Sequence, residues 1–239
     1  MNFKVISLTA IVFFIITNLY SFETENSEAN RSKTKQIFNK IVKAIGNVDS
    51  IRNVQTKGKT WQPIEQGSMT FETNVTAIFP DKFKVKFLDQ EFIISENKGW
   101  RKYPKGYFEN LPSSLIPEIM GNLKRNLINL LKFQNEYEII FLKEKEVDGK
   151  SYDILQVNND EIQFKLIIDK ETNLPFQMIY ESDEYEKPIS IYRMIKEYKD
   201  FNGIKFPIHT ISYDESGNKI SEIKISEVKF NVEIDEDEF

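Results

Sequence analysis

The stretch KDFNGIKFPIHTISY, residues 199–213, holds the single histidine of the chain, His209. A histidine that moves protons in hydrolysis needs a nucleophile beside it and an acid to orient its ring. Serines and aspartates are plentiful, but no G-x-S-x-G elbow occurs, and the local alternation sets His209 on a strand face with Ile211 and Tyr213. Asn202-Gly203 has the composition of a hairpin turn, the glycine supplying positive φ, so strand is expected on both sides. One histidine also excludes an H-E-x-x-H zinc site. DESGN at 214–218 opens like a calcium loop, yet Ile225 stands where the bidentate glutamate belongs, and a hairpin turn is the expectation. The most closely spaced glycines, Gly99 and Gly106, fit neither phosphate-cradling pattern. The acidic runs DEYE (183–186) and IDEDEF (234–239) read as a solvated loop and tail. Cysteine is absent, which excludes disulfides, thiolate catalysis and cysteine metal sites. These residues predict no enzyme: no catalytic residue, cofactor or metal is assigned.

The remaining chemistry is burial of apolar surface. LPSSLIPEIMGNLKRNLINLLKF (111–133) places Leu115, Ile119, Leu123, Leu127 and the Leu130–Leu131 pair on one helical stripe, widened by Ile116, Met120 and Ile128. Ser113 or Ser114 is the expected cap, Pro117 suits the first turn, and Gly121 costs about 1 kcal/mol against Ala, so a bend is expected there. Such a helix either completes a core or lines a cavity for a hydrophobic ligand. The cavity lining expected from sequence is Phe71, Phe83, Phe87, Trp100, Leu115, Ile119, Leu123 and Leu127.

Strands must position these residues. In GSMTFETNVTAIFPDKFKVKFL, Met69, Phe71, Thr73, Val75, Ala77 and Phe79 alternate with Thr70, Glu72, Asn74 and Thr76; after a Pro80-Asp81 turn, Phe83, Val85 and Phe87 alternate with lysines. One-sided alternation of this kind belongs to an antiparallel sheet with one wet face. QEFIISENKGWRKYP supplies another hairpin, and from Tyr137 onward strands recur between turn signals. The count is about eleven strands, preceded by an amphipathic helix from Ser32, its expected N-cap, to a stop at Gly46. The fold class expected is mainly β with α: one domain over 32–239, a strongly curved antiparallel sheet or barrel.

Ahead of that domain, Lys4 and the apolar run Leu8–Leu19 read as a secretory signal peptide over 1–21, cleaved after Ser21, because the run is short for a bilayer span. A disordered leader is expected over 22–31. The chain has 239 residues, 40% hydrophobic and 29% charged, with a net charge of −5, so a soluble protein is expected with no basic stripe for nucleic acid. The mature chain is expected to be periplasmic, with no transmembrane anchor.

The stretches KIVKAIGNVDSIRNVQTKGK, FPDKFKVKF, NKGWRKYP, LIIDKETNLPFQMIY, YKDFNGIKFPIHT and ISEVKFNVEIDEDEF occur in an order that resembles the LolA-like superfamily of periplasmic lipoprotein carriers and outer-membrane lipoprotein-sorting proteins. The resemblance implies an unclosed, highly curved antiparallel half-barrel whose concave apolar face is plugged by helices. It also implies a lipid or lipoprotein acyl chain as the ligand. The alternative is an envelope interaction or sensor module, with an envelope protein as partner and a cavity filled by its own side chains.

Overall fold

A computed structural model describes residues 28–95, 98–182, 188–235 and 239. The signal peptide expected over 1–21, residues 22–27 of the leader, the DEYE run and residues 236–238 of the tail lie outside the described residues. The first element is helix α1 (Glu28–Ile45), which starts four residues before the expected cap at Ser32, so the last four leader residues are helical. Its apolar face is Ile37, Phe38, Ile41 and Ile45, and Lys43 in the last turn suits the negative end of the helix. Gly46 ends it as expected: φ is +110°, and its N–H donates to the Val42 carbonyl.

Six strands follow: β1 (Asn53–Ile64), β2 (Gly67–Ile78), β3 (Lys82–Phe87), β4 (Gln90–Ser95), β5 (Lys98–Lys102) and β6 (Phe108–Asn110). Then come the short helices α2 (Ile116–Lys124) and α3 (Leu127–Lys132). Seven strands complete the chain: β7 (Glu138–Val147), β8 (Lys150–Asn158), β9 (Gln163–Asp169), β10 (Pro175–Ser182), β11 (Ile189–Phe201), β12 (Ile204–Tyr213) and β13 (Lys219–Phe230). All thirteen strands form one sheet, ordered β6-β5-β4-β3-β2-β1-β13-β12-β11-β10-β9-β8-β7, in which every neighbouring pair is antiparallel. Its two end strands, β6 and β7, are not paired with each other, so the sheet is unclosed.

Among the described residues the count is therefore thirteen, not eleven. β6 escapes sequence reading because its three residues are all exposed. β1 escapes because its inward row after Val54 is Thr56, Gly58 and Thr60, which carries no apolar alternation. Yet β1 is the strand that joins the two halves of the sheet, pairing with β2 from Asn53↔Ile78 to Ile64↔Gly67 and with β13 from Val54↔Phe230 to Trp61↔Glu222. Arg52 N–H donating to Asn231 Oδ1 (2.7 Å) and the Asn53 side chain bonding both ways with Val232 fasten the end of that seam.

Strand order dictates where α2 and α3 go. β6 and β7 are consecutive strands but lie twelve inter-strand steps apart, about 58 Å across a flat sheet. The connection at 111–137 has to cross a sheet face. It crosses the inner one: Met120, Leu123, Leu127, Ile128, Leu130 and Leu131 belong to the same buried cluster as α1 and the inward residues Val54, Ala77, Leu155, Phe164 and Ile195. The expected single helix through this segment is two helices. Asn126 leaves helical geometry (φ −65°, ψ 133°) and accepts the Ile128 N–H at 2.9 Å, starting α3 afresh. The break thus lies at Arg125–Asn126 and not at Gly121, and the N-cap of α2 is Leu115, with no side-chain cap from Ser113 or Ser114.

At the β7 edge, α1 lies against β7 and β12. Thr34 Oγ1 donates to the Asn30 carbonyl and accepts the Phe141 N–H, each at 2.9 Å, so a buried helix hydroxyl satisfies an amide of the edge strand. At the other end of α1, a Cβ on Gly46 would lie 2.1 Å from the Gly203 carbonyl oxygen in the β11–β12 turn. Gly46→Ala therefore combines positive-φ strain with a backbone clash, and the expected loss is about 1–3 kcal/mol. Urea unfolding should show a lower midpoint with an unaltered slope.

Candidate functional site: an apolar cavity under the crossing helices

Between the crossing segment and the sheet lies a cavity of about 220 Å³. Its walls come from β1, β2, β3, the end of α1, the crossing segment from α2 to α3 and β10–β13, with Phe83 of β3 and Met178 of β10 among the lining residues. Those two strands are six steps apart, about 29 Å in a flat sheet, whereas the cavity is on the order of 10 Å across. Residues of both can line it only because the sheet is strongly bent.

Space remains at this point because the strands that cross it carry small inward residues. Thr56 and Gly58 of β1 face Val75 and Thr73 of β2, and these four line the cavity together with Thr60 of β1 and Ala77 of β2. The Thr60 and Thr73 hydroxyls bond each other at 2.8 Å, so neither needs water or ligand. Gly58 is fixed by backbone packing: the ladder to β13 shifts register between Lys57 and Gly58, and a Cβ there would meet the Lys224 carbonyl oxygen at 2.4 Å.

On the helical side, α3 is fastened to the framework. Asn129, buried on α3, donates to the Leu123 carbonyl at the end of α2 (3.2 Å) and to the Pro80 carbonyl in the β2–β3 turn (3.4 Å). Lys132 donates to the Ile51 carbonyl. α2 is tied to its surroundings too: the Tyr137 hydroxyl donates to the Lys124 carbonyl at 3.2 Å, and the Lys124 ammonium pairs with Glu161.

A polar cluster stands at one side of the cavity. Arg125, 5% exposed, pairs with Glu118 at 3.4 Å, and Glu118 also accepts from Ser182 Oγ at 3.3 Å. The Arg125 guanidinium lies 4.0 Å from the centre of the Tyr180 ring, and the Arg193 guanidinium lies 5.2 Å from the same ring. Arg193 also donates to the Tyr180 hydroxyl (2.6 Å) and to Asn122 Oδ1 (3.3 Å). A Cβ on Gly121 would come within 3.0–3.2 Å of the Arg125 guanidinium, so that glycine makes room for a cation. Both arginines line the cavity, and neither was singled out from sequence. Arg193 had a signal: in ISIYRMI it occupies an inward position between Ile191 and Ile195, where the alternation calls for an apolar side chain.

Of the eight lining residues expected from sequence, Phe83, Leu123 and Leu127 line this cavity. Phe71 and Phe87 pack instead against each other (5.4 Å), and Phe87 stacks on Phe92 (5.2 Å), which carries Arg101 over its ring. Trp100 pairs with Ile93 and lines a separate cleft with Lys84, Lys102 and Phe108. Leu115 is 37% exposed, and Ile119 packs half-buried against the core. His209, on β12, lies 2.8 Å from a carboxylate oxygen of Glu222 on β13, which also accepts from Lys219 (3.0 Å) and Lys224 (3.1 Å). Asp214 is taken up by its turn, accepting the Ser216 and Asn218 N–H groups at 2.9 and 2.8 Å.

No family model and no curated protein matches the sequence. Solved structures do match in fold. A putative outer membrane lipoprotein-sorting protein domain from Vibrio parahaemolyticus aligns with a TM-score of 0.61 and 13% identity over 87% of this chain and 97% of its own. A DUF1329 family protein from Desulfovibrio piger gives 0.62 and 14%, over 84% and 95%. A LolA superfamily protein from Nitrosomonas europaea gives 0.57 and 15%, over 84% and 94%. At these identities the likeness is one of fold, and it is the LolA-like fold that the sequence resemblance implied.

The Glu222 cluster makes a pH-dependent contribution of known sign. Hydrogen bonds from Lys219, then His209 and Lys224, lower its pKa from the ordinary 4.5 to about 2. A depressed carboxyl stabilises the fold fully above the ordinary value and loses that contribution as pH falls through the folded one. The difference in Tm between wild type and Glu222→Gln should be constant above pH 4.5 and close toward pH 2 in thermal scans.

Proposed function

We propose that the chain is an exported, non-enzymatic protein that shelters a hydrophobic ligand, a lipid or lipoprotein acyl chain, in its half-barrel cavity and acts in the periplasm as a carrier. The observation that carries this reading is a cavity left open by small residues at the bend of a sheet and roofed by an apolar helical segment. The fold likeness to a lipoprotein-sorting domain and a LolA superfamily protein supports the same reading. Among the described residues no helix is long and apolar enough to cross a membrane, and residues 1–21 are assigned to a signal peptide on sequence grounds.

Transferring a chain from water into the cavity would yield about 0.8 kcal/mol per methylene. The volume of about 220 Å³ is below the roughly 300–1,000 Å³ of small-molecule pockets, so a long chain needs the roof to move. The moving part is α2 rather than the whole segment 114–133. α3 is buried along most of its length, whereas α2 buries Met120, Gly121 and Leu123 of its nine residues, and its displacement would break the side-chain bonds to Ser182, Arg193 and Glu161. In this reading α2 is the plug and α3 its hinge-side anchor.

The test is uptake of the neutral dye N-phenyl-1-naphthylamine by the purified chain, compared with Val75→Phe, which pushes a ring into the cavity from β2. The expected result is saturable binding near one dye per wild-type chain. The variant should bind at least tenfold more weakly while keeping the wild-type circular dichroism spectrum. A folded wild type that takes up no dye would overturn the reading in favour of an interaction module with a self-filled cavity.

A further inference from the structure

We propose that the ligand is an anionic single-chain amphiphile whose carboxylate or phosphate head is held by Arg193 while its chain occupies the cavity. This rests on the cavity-binding reading above and specifies its ligand. Arg193 occupies the inward face of β11, flanked along the strand by Ile191 and Ile195, with Met178 opposite on β10. Arg193 is half-buried there, and whatever part of its desolvation water does not relieve is costly without a counter-charge.

The two arginines of the cluster differ in this respect. Arg125 pairs with Glu118. Arg193 is held by neutral acceptors, the Tyr180 hydroxyl and the Asn122 amide oxygen, while its Nε is buried without a hydrogen-bond partner. Among the described residues no carboxylate lies within ion-pair distance of Arg193. The lining of the whole cavity contains Arg125, Arg193 and Lys205 and no Asp or Glu.

Tyr180 and Asn122 both accept from Nη2 and orient the guanidinium without neutralising it, leaving Nη1 as the uncommitted donor at the side of an apolar hole. A guanidinium nitrogen suits carboxylate or phosphate oxygens, and bonds between opposite charges are shorter and stronger than the neutral ones it makes here. The apolar remainder of the lining, including Phe83, Leu123, Leu127, Met178 and Ile195, suits a hydrocarbon chain. The small volume favours one chain over two.

The experiment is displacement of N-phenyl-1-naphthylamine by three ligands of equal chain length: dodecanoate, dodecyl phosphate and dodecanol. It is run on wild type, Arg193→Met, Arg193→Gln and Arg193→Lys, with folding followed by circular dichroism. The expected result is that at least one anion displaces dye from wild type at a tenfold or lower concentration than dodecanol. In the Met and Gln variants that preference should collapse toward one, and Lys should keep part of it. Stronger displacement by the carboxylate or by the phosphate identifies the head. Equal displacement by alcohol and both anions from wild type would overturn the anionic head and leave the cavity reading standing, as would a preference retained in a folded Met or Gln variant. Dye that never binds wild type would overturn the cavity reading, and this inference with it.

Discussion

Two strands that are neighbours in sequence, β6 and β7, are the two that lie farthest apart in the sheet. That constraint organises the molecule. The segment between them has to traverse a face, and a traversing segment with an apolar stripe settles on the face that the sheet bends around. Its position is held from the far side by β1, which pairs with β13 and so brings the first and last strands of the fold together. The helices roof the cavity because of connectivity first and hydrophobicity second.

The cavity itself arises from what is missing on the inner face. Where β3 and β13 contribute Phe83, Ile223 and Ile225, β2 contributes Thr73, Val75 and Ala77 and β1 contributes Thr56, Gly58 and Thr60. Its threonine hydroxyls have a partner within the wall, and the glycine is held by a register shift against β13. A core filled to the usual density would have branched side chains at these places. The two arginines on the opposite wall point the same way: Gly121 yields space to Arg125, and the β11 apolar row yields a position to Arg193. Local choices that weaken packing cluster around one hollow, which is the pattern expected where a fold has been shaped for something besides its own stability.

The strands of the first half other than β1 and β6 could be read from alternation and from the hairpin turn after Ser95. The seven of the second half could be read from their spacing between turn signals, since Tyr152, Ile154 and Ile167 make the other face of that half apolar as well. β1 was hidden by the same small residues that create the cavity, so the most informative strand for the site was the least legible one. The helical stripe of residues 115–131 was legible, but its break was not read, although Asn126 followed by an apolar run carries an N-cap signal. Phe83, Leu123 and Leu127 sit on rows that periodicity identifies, and the fold places them beside the cavity. Phe71, Phe87 and Trp100 lie elsewhere, because periodicity gives a face and not a depth along the strand: Phe71 and Phe87 pack in their own aromatic array, and Trp100 lines a separate cleft. Arg193 required the opposite inference, that a charge on an inward row is a signal and not noise.

The gap between β6 and β7 gives the sheet a mechanical property that closed barrels lack. A closed barrel has its circumference set by strand number and stagger, so its lumen cannot widen without breaking ladder hydrogen bonds. Here the ladder ends at two free margins. Small changes of twist at each of the twelve strand pairings can add up to a wider or tighter bend while every pairing stays intact. The hollow is therefore compliant: its size is a continuous function of curvature, and one framework can close on contents of different bulk.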